Sequence, residues 1–553
     1  MKQKILYIAL LACTFLLTTN AQSQEPTDEQ TEVMTIGQSL KNISGYTVFA
    51  RLMEACGLQT QLSMIRDGAY EEAYMSGRVQ DLPYHGSTGQ NGTIPEHRYY
   101  GFTVFAETDA VWEALIGKKA SAITAEDVML YLTAKNIYPE ATTDGDYSNQ
   151  NNLLNQFVTY HILPERLSID KLVIHYNEHG YDYHYKNKYT IPVEEFYTTL
   201  GKPRLLKVYQ SRESQGIYLN RFPVLRNGRG AFSAANVPDN ELRNDYRESG
   251  MFKPVRGQAL TNDENEGICV ISMDADTNAV HALNGFIYPI QKLLAYTENV
   301  STQLKNQRLR FDAASLLPEM INNDLRRPMG FYSYGASSAR AFPISSDYQY
   351  FDHLTIGEET RFYYLTGYGN QWLNYQGDEF NIVGKYDFTL KLPPVPASGY
   401  YELRFGVSSD SNARSIASFA IGTEKDNLPI TTLPIDLRVG GLYKRTLYNT
   451  APSNIGWEGD TQDDVHNRFV DLRLHEQGYM KGPQAFDQGS TPARSRDGSL
   501  RRIIWSGYVT PSTTLYLRVR NCMDDTSKQF YMDFIEWCSK DVYDNPEQPE
   551  DIW

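Results

Sequence analysis

GFTVFAETDAVWEAL, residues 101–115, joins a strand pattern to a helix pattern within one short stretch. Apolar residues dominate up to Ala106, in an alternation that is typical of a strand. The polarity changes at Thr108 and Asp109, and either side chain can cap the free amides at the start of a helix. The apolar residues that share one face of that helix are Val111, Trp112 and Leu115. The stretch therefore predicts a strand that turns directly into a capped helix.

Two later stretches complete a pattern with the first. LNQFVTYHIL, residues 154–163, places Leu154 and Phe157 at helical spacing, and the helix is expected to break at Pro164. NGFIYPIQKLL, residues 284–294, begins with a glycine turn and continues as an apolar strand. The chain thus offers a strand and helix, a second helix, and a closing strand, in that order.

The order of these three stretches resembles the fasciclin domain, an extracellular adhesion module. The family's first signature is an aromatic-Thr-Val/Leu-Phe-Ala-Pro-Thr-Asp/Asn run, in which this chain has Glu107 in place of proline. The second is a Tyr-His pair, matched by Tyr160 and His161. The third is Asn-Gly-Val-Ile-His-Val-Ile-Asp, where Tyr288 replaces His and Gln291 replaces Asp. The matching residues are Phe102, Thr103, Val104, Phe105, Ala106, Thr108, Asp109, Tyr160, His161, Asn284, Gly285, Ile287 and Ile290.

The resemblance implies an extracellular α/β adhesion domain. In animal relatives the region around the Tyr-His pair is associated with integrin binding. The alternative, which we favour, is that Tyr160 packs in the core and His161 hydrogen-bonds to nearby backbone. The third stretch keeps its apolar positions and changes its polar ones, which supports the fold more than any ligand site of the family.

The N-terminus predicts export. Lys2 and Lys4 form a basic region, residues 5–17 are apolar, and residues 19–21 form a small-residue cleavage site, so that 1–21 is a signal peptide. The apolar run is too short to cross a bilayer, and no later segment approaches the ~20 apolar residues required. We expect the mature chain in the periplasm, at the outer membrane or on the surface of a bacterium.

Two modes of processing remain open at this end. Leu10-Leu11-Ala12-Cys13 resembles a bacterial lipobox, which would place a lipid anchor on Cys13. The apolar residues continue beyond Cys13 to Leu17, which fits ordinary cleavage after Ala21 better.

Length and charge limit the class of protein. A chain of 553 residues is expected to hold several domains of about 100–200 residues each. A net charge of −15 argues against nucleic acid as a partner, because proteins that bind it carry basic patches. An extracellular protein or a glycan is the expected partner.

The predicted fold class is α+β, with a fasciclin-like α/β domain followed by an all-β antiparallel sandwich. The predicted segments are a signal peptide (1–21), a polar leader (22–34), the fasciclin-like domain (35–299) with insertions near 64–98 and 222–264, a helical connection (300–345), the sandwich (346–541) and an acidic tail (542–553). Within the first domain, residues 35–62 predict two helices that end at Gly57.

The sandwich is predicted from short β-patterned runs separated by turn residues. These runs are 386–392, 400–406, 415–421, 514–519 and 530–537. LPPVPASGYYELRF, residues 392–405, together with the run near 530, resembles galactose-binding-like jelly-roll domains. The runs ending at Cys522 and Cys538 are predicted to form one hairpin, which separates the two thiols by more than ~20 Å and excludes a disulfide.

Two clusters contain residue types that bind metals. The first is His175, His179 and His184, which lie on a predicted hairpin that directs the rings to different places, so zinc is disfavoured. The second is Glu458, Asp460, Asp463 and Asp464, whose spacing fits no calcium loop and favours a solvated acidic loop. No catalytic motif of a hydrolase or nucleotide enzyme occurs, so we expect no enzyme, no metal and no cofactor.

The functional expectation is a non-enzymatic secreted or surface adhesion protein. The alternative is a glycan-binding protein that uses its jelly roll, because sugars stack their C–H faces on aromatic rings. The candidate glycan contacts are Trp372, Tyr375, Trp457 and Tyr479, near loop-like stretches. A secreted glycoside hydrolase is a remote third alternative, supported only by export and the abundance of acidic residues.

Overall fold

The structure is a computed structural model, and it describes residues 34–78, 95–169, 171–173, 194–210, 216–222, 266–271, 279–326, 338–342, 350–366, 378–408, 413–440, 455–483, 487–488 and 491–544. The helices in these ranges are α1 (Ile36–Asn42), α2 (Thr47–Ala55), α3 (Gly68–Met75), α4 (Asp109–Ile116), α5 (Ala125–Ala134), α6 (Leu153–Tyr160), α7 (Glu298–Lys305), α8 (Pro318–Asn322), α9 (Asp464–Glu476) and α10 (Lys540–Tyr543). The first strands are β1 (Phe102–Glu107), β2 (Ile162–Leu163), β3 (Glu194–Thr198), β4 (Leu205–Gln210), β5 (Ile217–Leu219), β6 (Ile268–Ile271), β7 (Val280–Ala282) and β8 (Gly285–Ile290).

The remaining strands belong to the second half of the chain. They are β9 (Arg308–Asp312), β10 (Ser338–Phe342), β11 (Leu354–Ile356), β12 (Thr360–Thr366), β13 (Asp378–Gly384), β14 (Asp387–Lys391), β15 (Gly399–Ser408), β16 (Ile416–Gly422), β17 (Ile435–Asp436), β18 (Tyr479–Lys481), β19 (Asp487–Gln488), β20 (Thr491–Pro492), β21 (Ser499–Val509), β22 (Tyr516–Asn521), β23 (Gln529–Met532) and β24 (Phe534–Ser539). The fold class is therefore α+β, with helices and several antiparallel sheets.

The described residues of the N-terminal part, 35–299, form two sheets. One is mixed, with the strand order β2-β1-β8-β7, and the other is an antiparallel meander of β3, β4, β5 and β6. The two predicted opening helices are confirmed as α1 and α2, and Gly57 follows them with φ of +70°. Helix α3 lies within the expected insertion near 64–98, where Asp67 accepts hydrogen bonds from the first amides and Tyr70 is buried. Helix α3 thus contributes Tyr70 to the core.

The C-terminal part, residues 300–544, contains three larger sheets. Their strand orders are β10-β12-β13-β23, β11-β14-β22-β16-β17 and β18-β21-β15-β24-β9. Phe530 lies 5.6 Å from Phe388 and 5.5 Å from Phe405 between ring centroids, so one aromatic cluster joins all three sheets. The predicted β-runs are confirmed as strands β14, β15, β16 and β22 and as the two consecutive strands β23 and β24.

The interval 300–345 differs from the expected helical connection. It contains α7 and α8, but β9 between them is an edge strand that pairs with β24. A buried strand was not predicted here because the charged residues Arg308 and Arg310 alternate with the apolar residues of β9. Both arginines are buried in the fold. Arg310 Nε donates to Glu536 on β24 at 2.8 Å, and this ion pair offsets the cost of burying the charge. A second difference is α9, a helix inside the expected all-β region 346–541.

The prediction that the strands ending at Cys522 and Cys538 form one hairpin is wrong. Strand β22 lies between β14 and β16, whereas β23 pairs with β13, and β24 pairs with β15 and β9. Consecutive strands therefore enter different sheets. Cys522 is exposed and Cys538 is buried in β24, and neither forms a disulfide with a described residue.

One continuous hydrophobic core extends from Ile36 to Trp537, and the residues from Thr35 onward form one compact unit. The N-terminal and C-terminal parts share this core. Phe196 and Phe311 pack with ring centroids 6.0 Å apart, and the Tyr296 hydroxyl donates to the Pro396 carbonyl at 2.6 Å. Among the described residues, no helix is both long and apolar enough to cross a membrane.

Several expectations lie outside the described residues. They are the signal peptide, Cys13 and most of the polar leader, the histidines at 175, 179 and 184, most of the insertion near 222–264, and the end of the acidic tail from residue 545.

Candidate functional site

The three signature stretches meet around strand β1. It pairs in parallel with β8, from Phe102 opposite Gly285 to Glu107 opposite Ile290. On its other side it pairs with β2, whose first residue directly follows His161. Three segments that are each separated by more than fifty residues in the chain thus form one small sheet. The apolar signature residues in this sheet are buried, namely Phe102, Val104, Phe105, Ala106, Ile287 and Ile290.

Gly285 is required by the close approach of two strands. Its φ is +156°, and a Cβ atom there would lie 1.8 Å from the carbonyl oxygen of Phe102. The backbone amide of Phe102 also donates to the Asn284 carbonyl at 2.9 Å. Only glycine leaves room for this contact.

Asn284 joins strand β8 to the N-terminal helices. Its Oδ1 accepts from the amide of Ile36 at 2.9 Å, and its Nδ2 donates to the carbonyls of Leu62 and Met64 at 2.9 and 2.8 Å. The side chain is buried, and its hydrogen bonds hold three segments of backbone together. The Asn-Gly pair of the third stretch is therefore structural.

Glu107 and His161 form a buried pair between the first and second stretches. Nδ1 of His161 lies 2.8 Å from the Phe157 carbonyl, which can only accept, so Nδ1 carries a proton. Nε2 lies 2.9 Å from Oε1 of Glu107, and this oxygen also accepts from the amide of Leu294 at 2.9 Å. One further proton must lie between Nε2 and Oε1. Oε2 of Glu107 is buried and has no hydrogen-bond partner among the described residues.

Tyr160 is buried as well. Its hydroxyl donates to the Leu205 carbonyl at 3.2 Å and accepts from Asn220 Nδ2 at 2.9 Å. Burial raises its pKa well above the ordinary value. Since neither ring of the Tyr-His pair reaches the surface, neither contacts a partner in this conformation.

The hydrogen bonds at the start of helix α4 differ from the predicted cap. Thr108 occupies the N-cap position but accepts no side-chain capping hydrogen bond. Asp109 Oδ1 instead accepts from the amide of Val48 at 3.0 Å, at the start of helix α2. The carboxylate therefore ties two helices together. Thr103 has a similar linking role, since its Oγ1 donates to the Glu165 carbonyl and accepts from the Leu167 amide.

The candidate glycan contacts are not brought together among the described residues. Trp372 and Tyr375 lie outside those residues. Trp457 and Tyr479 are partly buried and pack against a small cluster beneath α9. The Arg502 guanidinium lies 3.9 Å from the Tyr479 ring centroid and covers one face. These two aromatics support the helix.

Three carboxylates of the acidic loop, residues 458–464, take part in hydrogen bonds and ion pairs within the protein. Glu458 accepts from Arg473 at 2.7 Å, Asp460 accepts from Lys481 at 2.8 Å, and Asp463 caps α9. Asp464 is the first residue of that helix. Within the described ranges, no group of three or more His, Cys, Asp or Glu side chains is arranged to hold a metal ion.

Two exposed surfaces were not predicted from the sequence. Tyr400 on β15 and Tyr508 on β21 are directly paired, 58% and 59% exposed, with ring centroids 5.4 Å apart. On α9, a stripe of three apolar residues faces solvent, namely Val465, Phe469 and Leu472. Helical spacing was a usable signal for the stripe, but its exposure depends on how α9 packs.

No family model matches the chain, and no curated protein matches it. Among solved structures, a calcium-binding mutant of Bacteroides uniformis β-glucuronidase 2 is similar at 12% identity with a TM-score of 0.15. The match covers 43% of this chain and 18% of that chain. The chain thus spans less than a fifth of that protein, and a TM-score this low carries no argument about fold or function.

Proposed function

We propose that the protein is a non-enzymatic adhesion or binding protein, built on a fasciclin-like domain and exported from a bacterial cell. The observation that carries the proposal is the position of the signature stretches, which lie side by side in strands β1, β2 and β8. Asn284, Gly285 and His161 all serve this arrangement through buried contacts.

The contact surface proposed for a protein partner is the stripe on α9. Val465 is 80% exposed, and Phe469 and Leu472 follow it at helical spacing. Covering apolar surface gains about 25 cal/mol per Å² removed from water, so a contiguous stripe favours association. Arg473 beside Phe469 and the pair formed by Glu458 and His466 give the stripe a polar rim.

Export is part of the proposal. A signal peptide at 1–21 delivers the chain to the periplasm, outer membrane or cell surface, either free or anchored through Cys13. Mass spectrometry of the chain purified from its own cells distinguishes the two forms, because cleavage after Ala21 and lipidation at Cys13 give different N-termini.

The experiment uses the mature chain and defined probes. Surface plasmon resonance measures its binding to immobilised fibronectin, laminin and collagen, beside a cell-binding assay. The V465S/F469S/L472S variant is expected to bind about tenfold or more weakly, because the centre of an interface carries most of its free energy. The Y400A/Y508A variant is the matched control and should bind normally. If the wild-type protein binds neither the matrix proteins nor cells, the adhesion proposal is wrong.

Glycan binding by a galactose-binding-like jelly roll in the C-terminal part is the second candidate function. The observation that favours it is the exposed pair of Tyr400 and Tyr508. Two phenol rings held on neighbouring strands offer apolar faces for sugar C–H groups and hydroxyls for hydrogen bonds. Binding of the wild-type protein to insoluble polysaccharides tests this candidate, with the F469S variant as the control.

A further inference from the structure

A cavity of about 250 Å³ lies where the N-terminal and C-terminal parts of the chain meet. Glu165 and Phe196 line it from the first part, and Phe311, His353 and Lys391 line it from the second. Its volume exceeds that of a cavity of roughly 150 Å³ that admits benzene, so a substituted six-membered ring fits inside. Neither the signature stretches nor the two exposed surfaces use this cavity.

Glu165 is a buried acidic group in the wall. It is 5% exposed, and its Oε2 atom has no hydrogen-bond partner among the described residues. Burial raises the pKa of its carboxyl group to about 8, and the nearby Arg326 guanidinium only partly opposes this. At neutral pH the carboxyl is mainly protonated, so it presents a hydrogen-bond donor. A buried polar group without a partner is unfavourable in the unliganded protein and is relieved when a ligand supplies one.

His353 supplies the complementary group. Its Nδ1 lies 3.1 Å from the Leu316 carbonyl, which can only accept, so Nδ1 carries the proton. Burial lowers the pKa of the imidazole, and the positive charge of Lys391 lowers it further. The neutral ring therefore keeps a lone pair on Nε2, which can accept a hydrogen bond from a ligand.

The rest of the wall is largely apolar with hydroxyl groups at its rim. The rings of Phe196 and Phe311 are buried, and prolines surround them. Thr198 and Thr514 contribute hydroxyls, and the exposed Thr514 stands at the edge of the cavity. The wall thus combines apolar faces with one acid donor, one imidazole acceptor and one ammonium group.

We propose that this cavity binds a single uncharged sugar ring, either a free monosaccharide or the end of a glycan. Sugar hydroxyls both donate and accept, so adjacent hydroxyls match the donor at Glu165 and the acceptor at His353, while a C–H face packs on the phenylalanines. The site goes beyond the adhesion proposal, which needs no interior ligand. It also does not depend on the exposed tyrosine pair.

The test is saturation-transfer NMR and calorimetry on the full mature chain with the methyl glycosides of glucose, galactose, mannose and N-acetylglucosamine. At least one is expected to bind. The E165L variant removes the donor and should bind about tenfold or more weakly, whereas E165Q restores an N–H donor and should stay within about threefold of wild type. The T514W variant blocks the rim and should abolish binding even if E165L folds poorly. Circular dichroism checks the fold of each variant.

The Y400A/Y508A variant separates this site from the surface pair, because the interior site predicts unchanged monosaccharide binding in it. Loss of binding in Y400A/Y508A with full retention in E165L and T514W would assign the sugar to the surface and overturn the inference. Absence of binding by all four glycosides, or uptake of cyclohexane in preference to them, would overturn it as well. None of these results decides whether the α9 stripe binds a protein.

Discussion

Nε2 of His161 lies 2.9 Å from Oε1 of Glu107, and both side chains are completely buried. The pair connects the end of helix α6 to the end of strand β1, and Leu294 donates to the same carboxylate oxygen from beyond β8. Glu107 stands where the family resemblance expects proline. In the fold Glu107 is a polar centre that the three signature stretches share.

Removing Glu107 should destabilise the protein strongly. The E107A change leaves the His161 imidazole and the Leu294 amide buried without their acceptor, so we expect a loss of about 3–5 kcal/mol in the free energy of unfolding. Urea unfolding followed by circular dichroism measures it. E126A, at an exposed carboxylate in the first turn of α5, is the control and should cost about 0.5 kcal/mol or less. Equal stabilities of E107A and E126A would show that the pair does not hold the stretches together.

Replacing Gly285 by alanine should separate strands β1 and β8. The new Cβ atom would overlap the Phe102 carbonyl oxygen, and relief of that overlap requires a backbone shift. We expect G285A to lose roughly 2–5 kcal/mol, measured by the same unfolding experiment. G68A is the matched control, because a Cβ at the start of α3 meets no atom within 4 Å, and it should stay within about 1 kcal/mol of wild type. A G285A protein as stable as G68A contradicts the described approach of the strands.

The buried Glu165 should make stability fall as pH rises. Its folded-state pKa is about 8, above the ordinary value of 4.5, so between these values the unfolded chain has released a proton that the folded protein retains. The free energy of unfolding therefore decreases with pH in this window, by up to about 1.4 kcal/mol per pH unit for this group. The E165Q variant lacks the titration. The free energy of unfolding of both proteins is measured at pH 5, 6, 7 and 8, and wild type should lose stability relative to E165Q as the pH rises. If the two free energies change in parallel with pH, the pKa of Glu165 is not raised in the folded protein.

The exposed tyrosine pair should matter for polysaccharide binding and little for folding. In the Y400A/Y508A variant we expect retention on polysaccharide in affinity electrophoresis to weaken about tenfold, equivalent to ~1.4 kcal/mol. The melting temperature should change little, since both rings face solvent. F469S is the control for a general loss of surface aromatics. If both variants are retained as strongly as wild type, the pair takes no part in glycan binding.

Local patterns predicted the parts of the fold that depend on neighbours in sequence. The β-patterned run around Tyr400 and the helical spacing around Phe157 identified β15 and α6, although residues 401–406 of β15 and every residue of α6 are buried. The glycine turn at Gly285 was also visible, since the residue type itself signals an unusual backbone.

Contacts between segments that are distant in the chain could not be predicted from local sequence patterns. The partner of Asp109 is the amide of Val48, sixty-one positions away, although a local cap was the simpler expectation. Strand β9 was missed because Arg310 within it is paired with Glu536 on a strand more than two hundred residues later. The hairpin error has the same origin, since β22 and β23 follow one another in the chain and still enter different sheets.

The site could be predicted in part. The sequence pattern of the three stretches identified the signature residues as structural. It showed Glu107 only as a difference from the family signature, and the pairing of Glu107 with His161 is visible only in the folded structure. The same holds for the cavity beside Glu165, whose wall combines residues from both halves of the chain. Burial of a carboxyl group without a partner has no signal in a single sequence.

The most direct test of the central claim, that the protein holds its ligand and leaves it unchanged, measures binding and turnover in one experiment. The mature chain is incubated with a panel of polysaccharides and matrix proteins, the bound fraction is determined, and the ligand is then analysed for new reducing ends or cleaved peptides. We expect saturable binding to at least one ligand, which is recovered intact. Steady release of products by the wild-type protein would contradict it.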